Sequence, residues 1–65
     1  MKHNLEAEIS RKGIKKKDIA AELQIDEKTL RNKIKGRTDF VWSEAVQIRD
    51  TFFPDIDINY LFHDE

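Results

Sequence analysis

Residues 14–36, IKKKDIAAELQIDEKTLRNKIKG, decide how the chain is to be read. Ile19, Ala20 and Leu23 fall at helical spacing, which predicts a helix from about Lys16 to Leu23. Leu30 and Ile34 lie one turn apart and predict a second helix from about Glu27 to Lys35. Gln24, Ile25 and Asp26 remain as a three-residue link, the length of a helix-turn-helix. Asp26 suits the N-cap of the second helix, because its carboxylate can accept from the free N–H groups there.

The second helix has two faces. Lys28, Arg31, Asn32 and Lys35 fall within an arc of roughly 100°, turned away from the Leu30/Ile34 stripe, and Glu27 lies at its edge. These side chains can donate to purine acceptors and to phosphate, and a bare helix has the width of a DNA major groove. A solvated charged face would show the same composition.

The run Asp18-Ile19-Ala20, Leu23, Ile25, Thr29-Leu30, Lys33-Ile34-Lys35-Gly36 and Phe40 resembles the helix-turn-helix of phage Cro and repressor proteins, the XRE-like class. The resemblance spans roughly residues 4–62. It implies base-reading positions at Glu27, Lys28, Arg31 and Asn32. It implies phosphate contacts at Lys16, Lys35, Arg37 and Thr38. Gln24 stands where the family usually has Gly, so a non-glycine residue must adopt the left-handed conformation, at a cost of about 1 kcal/mol. Lys15 stands where a Ser or Thr cap is common.

A chain of 65 residues is one domain, near the small end of what folds without a staple. It has no cysteine, which excludes disulfides and Cys-based zinc sites. No apolar run approaches the roughly 20 residues that span a membrane, and Met1-Lys2-His3-Asn4 opens no signal peptide, so a cytoplasmic location is expected. The net charge of −1 conceals an asymmetry. Residues 1–37 hold eleven Lys and Arg against six Asp and Glu, a net of +5, whereas residues 38–65 hold one Arg against seven acids, a net of −6. The helix-turn-helix half therefore carries a concentrated positive field.

Before the motif, Asn4 is expected to cap a first helix with Leu5 and Ile9 on its buried stripe. Gly13 supplies its left-handed end and Ile14 the apolar contact beyond it. Lys15, Lys16 and Lys17 then oppose the dipole of the next helix and cap none of its N–H groups. A phosphate at that helix end turns the conflict into an attraction. A solvated lysine run is the alternative.

After the motif, Arg37-Thr38-Asp39 reads as a polar loop. A fourth helix is expected from near Val41 to Phe52 or Phe53, where Pro54 stops it. Val41, Ala45, Ile48 and Phe52 form one apolar ridge, and Trp42, Val46 and Phe53 a second. In the tail, Ile56, Ile58, Tyr60 and Phe62 alternate as in a strand. Asp57 followed by Ile58, Leu61 and Phe62 suits a short capped helix equally. The family resemblance implies the helix. The surplus apolar surface of residues 41–62 points to a homodimer interface formed by Trp42, Val46, Phe53, Tyr60, Leu61 and Phe62.

Enzyme chemistry finds no footing. His3 and His63 lack a paired carboxylate motif or metal-ligand spacing, Ser10 and Ser43 lack a nucleophile signature, and no cofactor motif is present. The sequence therefore predicts an all-α, five-helix, lambda-repressor-like domain. It would bind a double-stranded operator as a homodimer and regulate transcription. The rival expectation is an interaction module, an antirepressor or antitoxin that engages another regulator protein through its apolar C-terminal half.

Overall fold

Three left-handed residues punctuate the first half of the chain. In the computed structural model, which describes residues 1–65, helices α1 (His3–Lys12), α2 (Lys16–Leu23) and α3 (Glu27–Lys35) each end on one. They are Gly13 at φ 66°, Gln24 at φ 59° and Gly36 at φ 86°. In each case the next N–H reaches back five positions, from Ile14 to Ile9, Ile25 to Ala20 and Arg37 to Asn32, at 2.9–3.0 Å. This ending satisfies the last carbonyls and reverses the chain within two or three residues. At the start of α3, the Asp26 carboxylate accepts from the Thr29 N–H at 2.7 Å, as expected of the cap.

The second half is also helical, with α4 (Trp42–Phe52) and α5 (Ile58–Leu61), and the whole is an all-α domain without strands. The strand alternative for residues 56–62 is set aside by the Asp57 carboxylate, which accepts from the Tyr60 N–H at 2.9 Å and caps α5. At the head of α4, Val41 has no side-chain oxygen to offer, and the Glu44 carboxylate accepts from the Val41 N–H at 3.0 Å instead. The ridge expected along α4 shifts accordingly. Ala45 and Ile48 are buried, but Val41 at the entrance is 56% exposed.

One core joins the five helices: Leu5 and Ile9 from α1, Ile19 and Ala20 from α2, Leu30 and Ile34 from α3, Ile48 from α4, Leu61 from α5, and Phe53. Phe53 and Leu61 are 0% exposed, so neither can serve the intermolecular interface assigned to them from sequence. The cause at Phe53 is Pro54. A residue before proline avoids the helical region, and Phe53 leaves α4 at φ −136°, ψ 54°, which takes its ring off the helical ridge and into the core. Leu61 reaches the same core because α5 is a helix, with Ile58 and Phe62 half-buried beside it.

Asn4 does not cap α1. Helix α1 begins two residues earlier than that cap would set, at His3 after Lys2, and the Asn4 amide donates to the Tyr60 carbonyl at 2.8 Å, tying α1 to α5. Glu8 is the one buried charged side chain; its carboxylate accepts from Arg11 at 2.8 Å and from the Tyr60 hydroxyl at 3.2 Å. Those two donors offset the desolvation that an unpaired buried carboxylate would suffer. The Lys2 N–H donates to the Ile34 carbonyl at 2.8 Å, so the segment before α1 closes the end of α3. No helix is long and apolar enough to cross a membrane.

Candidate nucleic-acid interface

The tight link of Gln24, Ile25 and Asp26 sets α3 against α2 with Leu30 and Ile34 turned inward. The opposite face of α3 therefore stands in solvent, and Glu27, Lys28, Arg31 and Lys35 are all exposed on it, with Asn32 half-buried. Three of these five side chains, Glu27, Arg31 and Asn32, are already held within the fold. Arg31 Nη1 lies 3.2 Å from Glu27 Oε2, one turn back, and Arg37 Nη1 donates to Asn32 Oδ1 at 3.4 Å. The first pair places Glu27 as a support for Arg31. The second is long, and engages only the Asn32 oxygen, leaving its amide N–H groups without a partner in the chain.

At the start of α2, Lys15 is extended at φ −91°, ψ 136°, and no side chain caps the helix. The N–H groups of Asp18 and Ile19 turn back to the Lys15 carbonyl, at 3.0 and 3.4 Å, while those of Lys16 and Lys17 have no partner in the chain. Two open N–H groups, a helix dipole and neighbouring ammoniums make a place suited to an anion. Lys16 itself is partly engaged, its Nζ 3.0 Å from Glu6 Oε1 of α1. A phosphate contact there must exchange with that carboxylate, which sequence spacing did not reveal.

Pairing separates the basic side chains into two populations. Of the twelve Lys and Arg, seven belong to the face read from sequence: Lys15, Lys16, Lys17, Lys28, Arg31, Lys35 and Arg37. Only Lys16 and Arg31 among them have a carboxylate within ion-pair distance. The other five are all engaged. Lys2, Arg11, Lys33 and Arg49 pair with Asp64, Glu8, Glu44 and Asp50 at 2.7–3.1 Å, and Lys12 lies over the Phe53 ring at 5.4 Å. Unpaired cations therefore gather around α3 and the start of α2.

Lys33 has a role that helical periodicity does not show. Its Nζ donates to the Asp39 carbonyl at 3.0 Å, pairs with Glu44 at 3.1 Å and sits 5.9 Å from the Phe40 ring centre. It thereby fixes the loop that presents Arg37 and Thr38, both exposed. The partners lie six and eleven residues away, outside any local spacing rule.

Of the residues read as an interface, Trp42 is 66% exposed, Tyr60 is 43% exposed with its hydroxyl bonded to Glu8, and Val46 and Phe62 are half-buried. Phe62 packs edge-on to Phe40, with ring centres 5.2 Å apart. Comparison with protein-family models, curated proteins and solved structures returns no match to this chain.

Proposed function

We propose that the chain is a helix-turn-helix regulator of the phage-repressor kind, binding double-stranded operator DNA and repressing transcription. The carrying observation is the segregation of pairing: of the six basic side chains lacking a carboxylate partner, five, Lys15, Lys17, Lys28, Lys35 and Arg37, belong to the face that the motif would turn to DNA, and the sixth, Lys12, lies over the Phe53 ring. In this reading α3 enters the major groove. Lys15, Lys16 and Lys17 with the open N–H groups of α2 take one stretch of backbone, and Lys35, Arg37 and Thr38 take another. Lys28 and Arg31 donate to guanine O6 or N7, and the Asn32 amide addresses adenine. Glu27 orients Arg31 in the free protein and accepts from cytosine N4 only if that pair opens.

Affinity and specificity should then separate by substitution. In a gel-shift titration, Lys17→Ala and Lys35→Ala weaken binding to selected and random duplexes about equally. Asn32→Ala costs about 1–3 kcal/mol on the selected duplex and little on random DNA. Arg49→Ala, whose guanidinium is held by Asp50, changes neither. Equal losses on both duplexes for Asn32→Ala mean that α3 does not read bases. Absence of any DNA binding gives the molecule to the interaction-module reading, which the exposed Trp42 favours.

A further inference from the structure

We infer that Lys33 is a positioning residue of the proposed DNA face: it touches no DNA itself but holds the loop carrying Arg37 and Thr38 in its binding shape. The inference rests on the DNA reading and concerns the order of that loop rather than its charge.

Helical spacing alone would make Lys33 one more cation of α3, and its contacts take it out of that set. Its side chain is 13% exposed, with Nζ 3.1 Å from Glu44 Oε1 and 3.0 Å from the Asp39 carbonyl, beside the Phe40 ring. An ammonium so engaged has little left to offer a phosphate.

The loop shows what those contacts do. At its start, the Arg37 N–H donates to the Asn32 carbonyl at 2.9 Å. At its far end, the Val41 N–H donates to Glu44 Oε1 at 3.0 Å. Between these anchors, residues 38–40 make no backbone–backbone hydrogen bond. The bond from Lys33 Nζ to the Asp39 carbonyl is the one hydrogen bond they receive. Phe40 adds an apolar hold, edge-on to Phe62, but Thr38 and Asp39 are exposed. The Glu44 oxygen that accepts from Val41 also pairs with Lys33, so one carboxylate joins the tether to the head of α4.

The physical consequence is preorganisation. A polar loop without internal bonds samples many shapes, and a ligand that needs one of them bears the ordering cost on binding. Lys33 settles that order during folding, so Arg37 and Thr38 meet the phosphate backbone already placed. A largely buried pair is screened less by salt than an exposed one, so the tether outlasts the ionic strengths that weaken phosphate contacts.

Lys33→Met keeps the apolar stem and removes the charge and the donors, and circular dichroism should show the helices intact. Amide relaxation by NMR should find the backbone order parameters of Thr38, Asp39 and Phe40 falling from about 0.85 towards about 0.6. Anisotropy titration of a fluorescein-labelled random duplex should find the affinity lowered about three- to tenfold. Lys33→Arg, which restores a charged donor, should bind within about twofold of the parent. A mutant cycle separates positioning from contact. In a background carrying Arg37→Ala and Thr38→Ala, Lys33→Met should cost less than about twofold, because the loop has nothing left to place. A second full loss there, with the slope of log K against log salt shallower by about 0.9, makes Lys33 a phosphate contact and overturns the inference. Unchanged order parameters overturn it too, as does a Lys33→Met variant that binds the duplex like the parent. A parent protein that binds no duplex at all overturns the DNA reading itself, and this inference with it.

Discussion

Gln24 holds a left-handed backbone at φ 59°, a conformation that favours glycine, and so lets the Gln24 and Ile25 N–H groups turn back to the Ala21 and Ala20 carbonyls and end α2. That strain is expected from the family resemblance, since the family usually has glycine at this position, and not from spacing. The same conformation at Gly13 gives a clean measure of its size, since a Cβ there would meet nothing within 4 Å. Gly13→Ala should therefore cost about 1 kcal/mol through backbone strain without a steric clash, read by denaturant unfolding. Asp26 offers a second test. Its hydrogen bonds from the Thr29 side chain and backbone, followed by the nearby charges of Lys28 and Arg31, hold its carboxyl below the ordinary value of 3.8. A group depressed in the folded state stabilises fully above its unfolded value and loses that contribution as pH falls through the folded one. Stability supplied by this cap should accordingly be whole above pH 3.8 and decline below it. Asp26→Asn should remove that part of the acid dependence while keeping a cap, and an unchanged acid profile would separate Asp26 from the stability of α3.

Helices α2 and α3 were readable because their limits are set locally, by the apolar spacing, the Asp26 cap and the left-handed ends. Helix α4 was readable only in part. Its periodicity runs on through Phe53, but Pro54 disfavours the helical conformation there, and the ring turns from the expected outer ridge into the core. Periodicity counts which face a helix would present; it does not register where the backbone leaves the helix. Leu61 escaped for a related reason, since an alternating tail suits a strand and a short capped helix alike. Phe53→Ala should therefore act on folding rather than association, destabilising the monomer by about 3–5 kcal/mol as loss of a buried aromatic does. Thermal unfolding at several protein concentrations checks this. A melting temperature lowered only at high concentration would return Phe53 to an interface.

Across the whole molecule, counting charges exposed a basic half and an acidic half, but not which basic side chains are free to act. That depends on partners distant in sequence: Glu6 for Lys16, Asp64 for Lys2 and Glu44 for Lys33. Folding uses carboxylates to neutralise four of the five cations elsewhere and leaves those at the start of α2, on the outer face of α3 and in the following loop largely unpaired. If the protein works by presenting those cations to DNA, association must release counterions in proportion to the phosphates neutralised. With about three to five phosphates met by each copy, a dimer on its operator meets roughly six to ten, and each contributes about −0.9 to the slope of log K against log salt. The decisive measurement is therefore the affinity for duplex DNA over a range of salt concentrations. The account predicts a slope of about −5 to −9, and a slope shallower than about −2 would contradict it.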